Sequence, residues 1–196
     1  PLASSSAASD VYKRQVDVHV QGQIFKAVGK RNHIWEADPE GAYVPVGCEA
    51  KLVCISDEVE VFISGAKHDQ THDAFVIRQK DIDKVQYGSD DTKTHRKIKH
   101  ILGKDPAGKV GKLLVSELFT VGEGGWSGFP PHKHETDMLP DESRHNEVYN
   151  FRFNPSNGFG AQFLTPDGDD FGPIYHVRDC LLYTSDAADE EASVDV

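Results

Sequence analysis

Sulfur is scarce in this sequence, which has three cysteines and a single methionine, Met138, and it has no run of about 18 apolar residues. The first shortage excludes a disulfide-stapled scaffold. Cys48 and Cys54 sit in neither a C-x-x-C nor a His-Cys spacing, and they read as reduced, half-buried strand residues of a cytoplasmic protein. The second excludes a membrane-spanning helix, and no apolar signal region stands near the start. Basic charge is also short: 21 Lys and Arg face 32 Asp and Glu, for a net charge of −11. A phosphate backbone or an anionic membrane surface would repel such a chain, so neither nucleic acid nor membrane is expected as a partner. No long segment shows helical periodicity.

The two ends lack a core-forming pattern. Residues 5–15 (SSAASDVYKRQ) and 180–190 (CLLYTSDAADE) share nothing as protein sequence, yet a DNA that encodes the first encodes the second on its opposite strand. The pair resembles the adapter of transposon-based sequencing libraries, translated in both orientations. Residues 1–15 and 180–196 are therefore expected to be appended sequence that makes few contacts with the rest. Between them, 16–179 suits one large domain or two small ones. The stretch from Tyr87 to Pro106, rich in Asp, Lys, Thr and Gly, marks a boundary that gives halves 16–103 and 104–179.

What is present is a series of short β-type runs: Tyr43 to Val46, Lys51 to Ser56, Val59 to Ser64, Ala74 to Ile77, Lys112 to Thr120, Glu147 to Phe153, Phe159 to Thr165 and Pro173 to Arg178. Alternation is clearest in Val59-Glu60-Val61-Phe62-Ile63 and in Val148 to Phe153. Gly and Pro at the breaks predict an all-β chain built as a sandwich or jelly-roll barrel.

Chemistry concentrates in Gly124-Gly125-Trp126-Ser127-Gly128-Phe129-Pro130-Pro131-His132-Lys133-His134, followed by Glu135, Glu142, His145 and Glu147. On a strand, residues two apart share a face, so His132 and His134 would present two imidazoles to one space. A carboxylate from the next strand completes three positions around a divalent first-row ion and leaves others for water or substrate. Glu147, heading the next strong run, is the expected third ligand.

The strings GGWSGFPPHKHETD and NEVYNFRFNPSNGFGAQFLT resemble the 5-deoxy-glucuronate isomerase family of inositol breakdown, in which the H-x-H and the Glu strand lie far apart. The similarity runs from Leu113 to Asp179 and more loosely back to about Gly22, with Thr94 to Leu102 in support. The resemblance implies two cupin barrels, the second one truncated and holding a divalent metal: zinc, manganese or iron. His132, His134 and Glu147 match the family's ligand positions, and its fourth ligand, a later His, would lie beyond Asp179. The implied reaction is an intramolecular oxidoreduction, 5-deoxy-glucuronate to 2-deoxy-5-keto-gluconate, with the metal stabilising an enediolate. A small deoxyuronate is then the partner, with self-association left open. A fragment of this length is expected to bind its metal weakly and to be inactive.

The residues leave the catalytic base open among Glu142, Glu135, Tyr149 and a metal-bound hydroxide. Arg152 is a candidate for the substrate carboxylate. Two other readings use the same His-His-Glu set: a non-catalytic sugar-binding cupin and an iron-dependent cupin dioxygenase. Elsewhere, His68 and His72 stand among Asp69, Gln70, Thr71 and Asp73 and predict a solvated loop. His176 is left out of the ligand set, and Trp126 and Phe129 are expected to lid the core.

Overall fold

The computed structural model describes residues 5–103, 109–128, 130–165 and 168–185, with backbone alone at residue 5 and at 181–185. Fourteen strands follow one another with a single short 3-10 turn, Gln79–Asp81, among the described residues. They are β1 (Ser5–Lys13), β2 (Val16–Val20), β3 (Gln23–Val28), β4 (Gly41–Val44), β5 (Ala50–Cys54), β6 (Glu60–Lys67), β7 (Phe75–Ile77), β8 (Asp83–Tyr87), β9 (Arg96–Leu102), β10 (Val115–Thr120), β11 (Glu147–Phe151), β12 (Phe159–Phe163), β13 (Ile174–Arg178) and β14 (Leu181–Ser185). The fold is all-β. Every strand pairing is antiparallel, in sheets ordered β6-β1-β4-β7, β3-β2-β5, β10-β9-β8, β11-β14 and β12-β13. No helix of the described residues is long and apolar enough to cross a membrane.

The chain divides into two compact units, Pro1–Phe129 and Pro130–Val196. The division falls later than the expected 103/104 boundary because β10 pairs with β9 across it, from Val115 opposite Leu102 to Thr120 opposite Arg96, with one register shift between Val115 and Ser116. The presumed β-poor stretch after Tyr87 contains all of β9; residues 104–106 lie outside the described residues.

In the first unit, β2 shows how the core is written. Val16, Val18 and Val20 are buried while Asp17 and His19 between them are half-buried, the period of two of a strand with one face on a core. These valines join Val11, Val28, Ala42 and Ala74 in one apolar cluster. A second cluster gathers Ala8, Tyr43, Ile77, Ile82, Ile101, Leu102, Val110 and Val115. Each side chain of valine size so buried contributes roughly 1.5–3 kcal/mol.

The expectation that residues 1–15 pack little is corrected for 6–15, residues 1–4 lying outside the described residues. β1 lies inside its sheet, paired with β6 on one side and β4 on the other, and Ala8 and Val11 are fully buried. Tyr12 stacks on Phe62 with ring centroids 5.8 Å apart. The fit is close: a Cβ at Gly41 would come within 1.9 Å of the Ser9 carbonyl oxygen, so only glycine lets β4 approach β1 there. Asp10 is 2% exposed and accepts from Arg31, itself 1% exposed, which also pairs with Glu117 on β10 and donates to the Val11 carbonyl. Burial here is continuous from Ala8 to Val11 instead of alternating, and it falls mostly on small or polar residues, which carry no apolar period of two. At the other end β14 pairs with β11, and residues 186–196 lie outside the described residues.

Two smaller expectations also change. Cys54 is exposed on β5 and Cys48 sits half-buried in a turn. Trp126 is 51% exposed and so does not lid a core; Phe129 lies outside the described residues.

Candidate metal centre

Pro130 and Pro131 decide the local structure at the first two histidines. A proline has no N–H to give to a ladder and restricts the residue before it, so His132 and His134 lie on an irregular segment in place of the expected strand. Their rings meet edge to face, with centroids 5.0 Å apart and planes at 74°. His132 is exposed and His134 half-buried.

The chain then turns back on itself. Met138 and Glu142 form an antiparallel bridge, the Met138 N–H donating to the Glu142 carbonyl at 2.9 Å, and the Arg144 N–H donates to Asp137 Oδ1 at 2.7 Å. The His145 N–H closes the loop on the His134 carbonyl at 3.1 Å. That bond lays the two imidazoles face to face, with centroids 4.1 Å apart and planes at 27°. Glu147, two residues on and at the head of β11, has the same parity as His145. His134, His145 and Glu147 each offer a ligand atom, all within 4.8 Å of one another.

Hydrogen bonds around the group assign its tautomers. His134 Nδ1 faces Glu142 Oε1 at 3.2 Å, His145 Nδ1 faces the Ser143 carbonyl at 2.9 Å, and His132 Nδ1 faces the Pro130 carbonyl at 3.0 Å. With an acceptor at each Nδ1, the ring proton belongs there and Nε2 keeps its lone pair, which is how ligating histidines are held in metal sites. Tyr149, on the same face of β11 as Glu147, donates its hydroxyl to Glu147 Oε2 at 2.6 Å. Burial, and then the hydrogen bond and charge of Glu147, push the Tyr149 phenol well above its ordinary range. It stays protonated, a donor that fixes the carboxylate.

Of the residues expected from the sequence, the structure brings His134 and Glu147 together and leaves His132 one ring away, outside the three-residue group. Glu142 and Tyr149 each touch a member of that group. Arg152 Nε donates to Asn150 Oδ1 at 3.3 Å. The residue the sequence reading passed over as a ligand is His145. Its signal was the spacing His145-Asn146-Glu147, two liganding types one strand period apart.

Two imidazoles and a carboxylate suit a divalent first-row ion. Ligands about 2.0–2.1 Å from a tetrahedral ion stand about 3.3 Å apart, so the group closes over one by small side-chain rotations, for which exposed His145 has room.

A family model described as KduI/IolB family matches residues 11–190. The chain belongs to the KduI/IolB family. It is 32% identical over 157 residues to the 5-deoxy-glucuronate isomerase of Geobacillus kaustophilus, covering 79% of this chain and 54% of that protein. To the 5-deoxy-glucuronate isomerase of Bacillus subtilis strain 168 it is 30% identical over 178 residues, covering 85% of this chain and 64% of that one. The chain thus spans between half and two thirds of the length of these relatives. Among solved structures, an IolB-like protein from Salmonella typhimurium LT2 shares the fold with a TM-score of 0.83 at 24% identity, over 94% of this chain and 68% of that one.

Proposed function

We propose that this chain is part of a metal-dependent aldose–ketose isomerase that converts 5-deoxy-glucuronate to 2-deoxy-5-keto-gluconate. The observation that carries the proposal is the His134, His145 and Glu147 group, found in a chain whose relatives bear the name of that isomerase. A divalent ion bound there would supply electrophilic stabilisation of the negative charge that develops on the substrate oxygens as a C2 proton is removed.

The protein's own residues have separable tasks in this reading. His134 and Glu147 hold the ion, with His145 as third ligand and His132 placed to join them. Glu142 orients His134 through Nδ1, and Tyr149 holds Glu147 through Oε2. Both are thereby positioning residues, which leaves the C2 proton to another base. Arg152 carries the charge that a uronate carboxylate requires. Zinc, manganese and iron(II) all suit the donor set.

The test supplies each of these ions and 5-deoxy-glucuronate to the chain extended to the length of its curated relatives, and follows ketose formation and dissolved oxygen together. Ketose without oxygen loss is the expected result. Oxygen consumption would make the protein a dioxygenase, and binding without conversion would make it a sugar-binding cupin.

A further inference from the structure

His68 and His72 do not behave as the residues of a solvated loop. The His68 side chain is 6% exposed, and its Nε2 lies 3.2 Å from Nε2 of half-buried His72, with the two ring planes within 4° of parallel. Its Nδ1 is buried without a hydrogen-bond partner among the described residues. The ring fits against bare backbone, since a Cβ at Gly111 would come within 2.1 Å of His68 Cδ2. On the other side, His72 meets the Tyr43 ring edge-on, with centroids 6.5 Å apart, and the buried Tyr43 hydroxyl also has no partner.

We propose that His68 and His72 form a second divalent-metal site, built wholly within the Pro1–Phe129 unit and separate from the group at His134. Two imidazoles favour a late first-row ion such as zinc or copper(II). A tetrahedral zinc with ligands at about 2.0–2.1 Å needs its two nitrogens about 3.3 Å apart, close to the 3.2 Å already present. Without an ion the nitrogens share a proton, an arrangement that leaves buried Nδ1 of His68 unsatisfied and therefore costs free energy. When the ion takes both Nε2 lone pairs, that proton moves to Nδ1, and a neutral pair loses none. Asp69 Oδ1 stands 3.8 Å from Nδ1 on a side chain 94% exposed, free to turn in and accept the new N–H. Water fills the remaining positions, and the ion clamps residues 68–72, between β6 and β7, against Gly111.

The experiment uses the 196-residue chain carrying His134→Gln and Glu147→Gln, which silence the other site, and measures zinc retained in equilibrium dialysis at pH 7.5. One zinc per chain is expected. Adding His72→Gln should weaken retention by tenfold or more, and Gly111→Ala, which keeps both imidazoles but displaces the His68 ring, should weaken it too. Ring ¹⁵N spectra read the ligands directly: zinc should shift Nε2 of both His68 and His72. Absence of zinc from the double variant, or retention unchanged by His72→Gln, would reduce the pair to a shared proton, as would ring spectra indifferent to zinc.

Discussion

Among the described residues the unit Pro1–Phe129 holds every buried hydrophobic side chain except Val177, while both units expose large hydrophobics, such as Ile24, Ile63 and Leu114 in the first and Leu139, Phe159, Phe171 and Ile174 in the second. The first unit has two apolar clusters and a buried ion network, whereas the second has two paired ladders and the His134 group. Stability and chemistry are thus concentrated in different parts of one sequence. A two-stranded ladder with little buried area is marginal alone. An ion bridging the loop at His134 to the strand at Glu147 would therefore add its binding free energy to the folding of the second unit, whereas the first already rests on its two apolar clusters.

The largest effect should come from Arg31→Ala. It leaves Asp10 and Glu117 without their shared cation in a site where Arg31 is 1% exposed, and breaking a buried pair costs about 3–5 kcal/mol. Urea unfolding should show that loss in the main transition. A loss below about 1 kcal/mol, the range of surface pairs, would mean that the network does not hold the first unit.

Next in size, Glu147→Gln should weaken zinc or manganese binding on the order of 100-fold or more, since losing a ligand exceeds the 10 to 100-fold typical of its supporting groups. His145→Gln and His132→Gln, measured beside it by calorimetric titration, sharpen the assignment. The structure favours the larger loss at His145, which belongs to the three-residue group. A larger loss at His132 would return the site to the pair expected from the sequence. Val11→Ala against Val148→Ala tests the packing contrast: about 2 kcal/mol is expected at fully buried Val11, and within about 0.5 kcal/mol at Val148, which is 55% exposed. Tyr149→Phe removes one hydrogen bond to Glu147 and should cost about tenfold in metal affinity with the fold intact.

How much of this was readable in the sequence depends on the element. β6 and β10 to β13 followed from alternation and turn residues; the runs expected for β10 to β13 were trimmed at their ends, while β6 continues past Ser64 to Lys67. β2 was equally readable in Val16-Asp17-Val18-His19-Val20, and it was missed because it adjoins a segment set aside on its coding pattern. β1 was hidden for another reason: its inward residues are mostly Ala, Ser and Asp, whose burial depends on Arg31 and Glu117, far away in sequence. At the site, Glu147 and His134 were found from residue type. His145 stood one strand period from Glu147, but its place beside His134 depended on a loop closure, His145 N–H to the His134 carbonyl, that no periodicity encodes. The H-x-H strand failed because Pro130 and Pro131 cannot supply a ladder, a fact present in the sequence and outweighed there by the appeal of the period of two.

The smallest effect, and the most specific to β1, concerns Asp10. Burial, and then the neighbouring Glu117 carboxylate, hold its carboxyl well above the ordinary range, with Arg31 opposing them in part. A carboxyl whose native pKa lies above its unfolded value binds its proton more firmly in the native state, so unfolding releases protons and stability falls as pH rises. Its contribution is complete below about pH 4, the unfolded value, and is lost as pH climbs through the raised native value. Asp10→Asn cannot titrate and should lack this component. Urea midpoints of the two proteins at pH 4.5, 6 and 7.5 should therefore diverge in one direction, the Asn variant gaining on the parent as pH increases. A partly exposed carboxyl paired with Arg31 would do the opposite, its pKa lowered and the parent gaining instead. Parallel curves, or curves that diverge in that opposite sense, would take Asp10 out of the buried network and β1 out of the core, and would erase the contrast between the two units at its best-packed strand.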